Sequence, residues 1–599
     1  MNACLIITMN KMKKNILGIL GIICLFLFVS CEDFLDRSPL TEITAKDYFK
    51  TASDLETYTN RFYQTFISVP IDDVGSDNVT ISTNANTMYT MVNSNGVSSS
   101  NVGGWDKSDW EKLRLINYML DNIHPEEMTI AEADLNHYIG LAKFFRGDYY
   151  YKKVKNYSAV PYYDKAMVDT DEDLYKTSDS REVVVNAVIS DLEFAATHIK
   201  PALGQRTRVN QYAALALLAR VCLHEATYRK YHTELGLAAS ANTFLEKAIS
   251  ACEKIMNSGQ FEIYGSSAAD YAALFCSPKL RDNKEILMFM ECDQTLGKGN
   301  NTHTVLGMYW GLTRSLMEDY QMKDGTAFNP LKADGTHKSY LELFENRDPR
   351  FKETFAYPGF NISPEIAGNS DYIPKTTYGG LDQIKFYPKQ TSQRVGWNMN
   401  YTSLPLYRYA EVLLIYAEAK AENGSLTQAD LDKSVNQIRA RVSMPKINLS
   451  GNVLEDIRRE RRIELACEGF RLDDVKRWAK GEELMGKRPQ GIYIHGYGAF
   501  DVTGDGEPDV AILHDADDLS PIAHLPAAVQ AKIEKEYLYD SNGNRTSIYL
   551  SSADGKSGYL EFVTSENRKW ENRFYYMPIP KHQLQLNPNL IQSPGWENY

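Results

Sequence analysis

Cysteine pairing is the first thing missing from this sequence. Beyond Cys31 the cysteines are Cys222, Cys252, Cys276, Cys292 and Cys467. They form no C-x-x-C and are odd in number, so neither a zinc knuckle nor a full disulfide framework is indicated. Several stand at apolar helix positions, where cysteine serves as a small core residue. Basic runs are missing too. Lys+Arg 65 against Asp+Glu 78 leaves a formal charge of −13, and losing Lys11, Lys13 and Lys14 with the leader described below takes it to −16. An acidic chain without basic blocks argues against a nucleic-acid partner.

Enzyme signatures are equally scarce. There is no G-x-S-x-G, His224-Glu225 lacks the second histidine of H-E-x-x-H, and Gly555-Lys556-Ser557 lacks the upstream glycine of a phosphate loop, Leu550 standing there. A two-carboxylate glycosidase needs only acids that meet in space, and 78 acidic residues single out no pair. The chain is read as a non-enzyme that requires no cofactor.

What the sequence does have begins with an address. Lys11, Lys13 and Lys14 precede the apolar run Ile16 to Val29, which ends at Phe28-Val29-Ser30-Cys31. This is a signal peptide over 1–30, too short and too closely followed by charge to be a membrane span. Cys31 after a small residue resembles a lipoprotein box, with Cys31 as the lipid anchor; several acyl chains hold far more firmly than one. A polar tether follows over 31–50.

Amphipathic helical patterns dominate 51–260, including 135–154, 183–199, 209–228 and 243–259, with a long Ser/Asn/Thr/Gly stretch at 69–104 read as loop. Helix pairs of this size suggest a tetratricopeptide-like stack. Periodicity weakens over 261–404, where ILMFME and QIKFYP look like isolated strands. It returns over 405–486, gives way to an irregular β-prone insertion at 487–566, and ends in a tail at 567–599. The fold class is therefore mainly α, a helical-repeat scaffold with irregular, partly β insertions.

The chain is organised around Leu454 to Trp478. At 100° per residue Leu454, Ile457 and Leu465 lie on one side, and Ile463, Ala466, Cys467 and Phe470 on the other, so this helix sits between two layers. Between them runs a charged stripe of Glu460, Arg461, Glu464 and Glu468, with Arg461 to Glu464 and Glu468 to Arg471 spaced to pair along the helix. A carboxylate metal site would need Glu-x-x-His pairs, which are missing; a buried ion-pair network is the expectation.

ERRIELACEGFRLDDVKRW in this stretch resembles the carboxy-terminal hallmark of the RagB/SusD family, nutrient-binding outer-membrane lipoproteins of Bacteroidetes-type bacteria. PLYRYAEVLLIYAEAKAENG at 405–424, YMPIPKHQLQLNPNLIQSPGW at 576–596 and CEDFLDRSPLTEITAKDYFK at 31–50 resemble it in the expected order. The resemblance implies a tetratricopeptide-like scaffold, export to the outer surface marked by Glu32 and Asp33, and a SusC-type TonB-dependent transporter as partner. It implies a nutrient ligand, most often an oligosaccharide; a peptide ligand and a structural adaptor role are the alternatives.

A pyranose offers C–H groups to an aromatic plane and hydroxyls to amides and guanidinium groups. Loop aromatics are therefore the candidates: Tyr89 and Trp105, Tyr309 and Trp310, and Trp397 with Asn398 and Arg394. Trp105 and Trp310 come first, because related proteins place stacking rings in those regions. Each ring has the alternative of packing under its own loop. Separately, Asp501, Thr503, Asp505, Glu507 and Asp509 alternate around Gly506 as in a calcium loop, but Ile512 replaces the bidentate glutamate, and a tight turn between two strands is the competing reading.

Overall fold

Helix starts in this protein are written in cap residues. A computed structural model describes residues 48–82, 86–94, 96–306, 310–367, 370–562 and 568–599. Thr51 and Asp54 cap each other's amides in a capping box that opens α1 (Ala52–Phe66). The segment from 69 to 104, expected as loop, is partly ordered: it holds a strand, β1 (Val79–Ser82), and a helix, α2 (Thr87–Ser94). Asp106 caps α3 (Lys107–Asp121), Ser180 caps α5 (Arg181–His198), and Asn210 takes two amides at the start of α6 (Gln211–Tyr231). Between them lies α4 (Glu132–Tyr157), and α7 (Ala241–Met256) follows α6.

These helices stack in sequence, α4 on α5, α5 on α6 and α6 on α7, with α1 and α3 against α4. The close approach of α4 and α5 requires Gly147, where a Cβ would lie 2.8 Å from a Leu192 methyl. Alanine does the same service in α6, where Ala213, Ala214, Ala216 and Ala219 are all buried. The stack takes in α8 (Tyr409–Glu422), which packs on α7 and on α9 (Val453–Glu464). The fold is mainly α, in the expected tetratricopeptide-like arrangement. No helix among the described residues is long and apolar enough to cross a membrane.

The β structure comes in short, separate sheets. Strand β2 (Ile286–Met290) pairs antiparallel with β4 (Leu404–Arg408), and β1 pairs antiparallel with β3 (Trp310–Leu312). QIKFYP does not form the expected strand. Asp382 and Gln383 make single bridges, and Phe386 turns at φ 73°, because Lys385 must point inward to Glu468. The late insertion builds two three-stranded sheets. One is β5 (Gln490–Ile494), β10 (Gly558–Glu561) and β9 (Tyr549–Leu550); the other is β6 (Gly498–Phe500), β7 (Val510–Asp515) and β8 (Glu534–Tyr539).

Helix α9 lies between two cores, as its two apolar faces require. Ile457 and Leu465 join the helical core, and Ile463, Ala466 and Cys467 join a second core shared by the middle region and the late insertion. Phe470, assigned to the second face, packs on the helical side instead, since Gly469 at φ 76° turns the chain before α10 (Arg471–Arg477). The ion-pair network is present, but its partners are not those along the helix. Glu464 takes Arg350 (2.9 Å), Arg408 (2.7 Å) and Arg441 (2.5 Å); Arg461 takes Asp474 (2.9 Å); Glu468 takes Lys385 and Arg408 (both 2.7 Å); Arg471 takes Asp77 (2.7 Å). Buried charges call for partners brought in by other elements, because a fixed counter-ion offsets part of the desolvation cost that each would otherwise carry alone.

Candidate ligand-binding face

The central stretch holds the amino-terminal loop in place. Asp73 accepts from the amides of Cys467 (2.7 Å) and Gly469 (3.0 Å) and from Asn78 Nδ2 (2.8 Å). Burial pushes its carboxyl up to about 6. Its neighbour Asp77 is just as buried, yet Arg462 and Arg471 overcome that burial and hold it at about 2. From this anchor β1 runs into its pairing with β3, Val79 opposite Leu312 and Ser82 opposite Trp310, while Thr80 Oγ1 donates to the Gly311 carbonyl at 3.0 Å. The ribbon thus joins two regions that the sequence singles out separately.

The individual candidates fare differently. Trp310 takes part through its backbone in β3, and Tyr309 lies outside the described residues, as does Cys31. Tyr89 stands on α2 rather than in a loop, half-buried, with burial raising the pKa of its hydroxyl. Trp105 is 3% exposed. It meets Trp110 and Tyr157 edge to face and closes, with Tyr149, a ring of aromatics around the Lys153 ammonium, while its rim lines an apolar cavity of about 340 Å³. This is the packing alternative, and its cause is the lysine: a buried cation is stabilised by π faces where no described carboxylate pairs with it directly.

Trp397 is 61% exposed. Its loop is stiff nonetheless. Asn398, at φ 56°, accepts from Asn301 Nδ2 at 2.6 Å and donates its own amide to Asn301 Oδ1, and the backbones of Asn300 and Asn400 exchange hydrogen bonds at 3.0 and 3.1 Å. Gly299 is required here, since a Cβ would fall 2.2 Å from the Asn398 carbonyl oxygen. His303 meets the Trp397 ring edge to face and is held by Asn400 Oδ1 at 2.6 Å. Arg394 belongs to the support. It donates to Tyr387 Oη (3.0 Å), the Ile362 carbonyl (2.6 Å) and Ser363 Oγ (3.0 Å), under the loop instead of toward solvent. Leu296, Val395 and Met399 are also exposed in these two loops. Their only trace in the sequence is an apolar residue isolated among Gly, Asn and Thr.

At 501–509 the structure shows the tight turn between two strands that competes with the calcium reading. The loop is the turn from β6 to β7, and its carboxylates close it themselves: Asp501 takes the amides of Gly504 (2.6 Å) and Gly506 (2.9 Å), Asp505 that of Glu507 (2.8 Å), and Asp509 those of Val502 and Thr503 (both 2.9 Å). No group of three or more His, Cys, Asp or Glu among the described residues is arranged to hold a metal.

Comparison with known proteins bears on what this face serves. Residues 281–596 match the family model described as the SusD family, and residues 33–223 match one described as starch-binding, associating with the outer membrane. SusD-like protein P2 of Formosa agariphila is 25% identical over 502 residues, spanning 79% of this chain and 92% of the relative. SusD-like protein P38 of the same organism is 24% identical over 519 residues, spanning 80% and 94%. Among solved structures, a SusD-like carbohydrate-binding protein from Bacteroides fragilis superposes with a TM-score of 0.67 at 20% identity, covering 91% of this chain and 100% of that one. A laminarin-binding SusD-like protein gives 0.57 at 18%, covering 91% and 100%. At these identities the structures establish the shared fold.

Proposed function

This chain belongs to the SusD family, and on that premise we propose that it is a cell-surface lipoprotein, anchored through Cys31 to the outer membrane and facing outward. It captures an oligosaccharide and delivers it to a SusC-type TonB-dependent transporter. The observation that carries the reading is Trp397. It is 61% exposed, and reciprocal asparagine bonds fix the two loops that present it. A pre-set ring loses little freedom on binding, and an indole face matches the C–H side of a pyranose while the amides of Asn301 and Asn398 stand beside it for hydroxyls. The ligand is bound and handed on without chemistry.

A screen on immobilised polysaccharides and peptides tests this. Retention on a glycan, with the polymer recovered at its original length, is the expected result. Retention on peptides alone defeats the sugar reading, and shortened products would make the protein an enzyme. Co-purification with a TonB-dependent barrel in mild detergent tests the partner, and loss of membrane attachment in Cys31→Ala tests the anchor.

A further inference from the structure

Buried arginines in this protein are usually matched to carboxylates, as Arg146 is to Asp191 and Arg477 to Glu418. Arg568 is not. It is 8% exposed, and its bonds go to neutral oxygens: Nε donates to the Lys487 carbonyl and Nη1 to Asn93 Oδ1, both at 2.5 Å. No ion pair joins it to any described carboxylate; Asp77, whose charge acts on it, is already committed to Arg462 and Arg471. Burial accordingly pushes the guanidinium down to about 10. Arg347 is also without a carboxylate, but it donates to the carbonyls of Met317, Tyr320 and Leu343 and lies 3.7 Å from the centre of the Phe328 ring. Arg568 Nη2 has no such acceptor among the described residues.

A second unmatched donor sits next to it. Asn93, 8% exposed, spends Oδ1 on Arg568 and leaves Nδ2 buried with no acceptor. Tyr89 is one turn earlier on α2, on the same side as Asn93 and within the electrostatic reach of Arg568. The three are tied together by the chain itself, because the Lys569 amide donates to the Val92 carbonyl at 3.0 Å. A fixed cation, an amide N–H and a phenol gathered without an anion among the described residues form half of a charge-assisted hydrogen-bond set. The competing account is that the carbonyls at the end of α2 compensate the guanidinium through the helix dipole. That account leaves Asn93 Nδ2 unexplained.

We propose that Arg568, Asn93 and Tyr89 form a recess for an anionic group of the ligand, a carboxylate or a sulfate ester on a sugar. The sugar in this statement rests on the glycan-binding reading above; the anion does not. Thermal unfolding of the mature chain, followed in sodium glucuronate, sodium sulfate, glucose and sodium chloride at matched ionic strength, tests it. The melting temperature should rise saturably with glucuronate or sulfate, not with glucose or chloride; the active anion identifies the group. Arg568→Gln should abolish the rise. Asn93→Asp, which keeps the arginine and supplies the missing carboxylate in the same shape, should fold, melt higher than the parent without any anion, and respond to none. An equal response in parent and Asn93→Asp, or no response in the parent, overturns the recess. Retention on neutral glycans alongside such a failure would leave the glycan-binding reading standing.

Discussion

The Lys153 ammonium lies 5.3 Å from the centre of the Trp105 ring and donates to the Gly104 carbonyl at 2.7 Å. Trp110 at 5.1 Å, Tyr149 at 5.6 Å and Tyr157 at 5.8 Å complete the enclosure, and burial brings the amine down to about 8. Trp105→Ala should therefore cost stability, by about 3–5 kcal/mol as for a large aromatic removed from a core, and leave glycan affinity of the folded protein unchanged. Denaturant titration and a binding isotherm on the same sample separate the two effects.

Lys153 also predicts a pH dependence. Its folded value lies below the unfolded one of about 10.4, so between about 8 and 10.4 the unfolded chain holds more protons and stability rises with pH. Lys153→Met should flatten that rise. A slope unchanged in the variant would mean that the amine titrates as it does in water.

Glu464 joins three arginines in the buried network, and their charges, against its own burial, hold its carboxyl well below the usual range. A depressed carboxylate contributes stability that is complete above the unfolded value of about 4.3 and disappears as pH falls toward the folded one. Glu464→Gln should lower stability at pH 7 by about 3–5 kcal/mol, the cost of breaking a buried pair, and should weaken the acid dependence below pH 4. Melting temperatures of parent and variant from pH 3 to 7 show both.

The loop at 501–509 predicts a negative result with a positive control. Excess calcium added to chelator-treated protein should leave the melting temperature where it was, because a native-state ligand must raise it. Asp509→Ala should lower it, since two amides lose their acceptor.

Particular residues show where sequence reading reaches and where it stops. The helical stack was legible because 3.6-residue periodicity reports which face is buried, and Leu454 to Trp478 showed two such faces. The partners of its charges were not legible: Arg350, Arg408 and Arg441 stand on separate elements, and which of them meets Glu464 is a tertiary fact. QIKFYP alternates in sequence like a strand and does not form one, because Lys385 turns inward to Glu468, which no local pattern records. Of the loop rings, Trp105 and Trp397 have equally featureless surroundings in sequence. What separates them is Lys153 under one and the Asn301–Asn398 clasp under the other.

The account rests most heavily on Trp397. Once the polysaccharide screen has supplied a ligand, calorimetric titration of parent, Trp397→Ala and Asn301→Ala against it is the direct measurement. Because Trp397 is mostly exposed, the alanine variant should melt with the parent while its affinity falls about tenfold or more, ~1.4 kcal/mol. Asn301→Ala should weaken binding less, by loosening the loop that presents the ring. Parent affinity retained in Trp397→Ala would contradict the account and move the ligand to another part of the molecule.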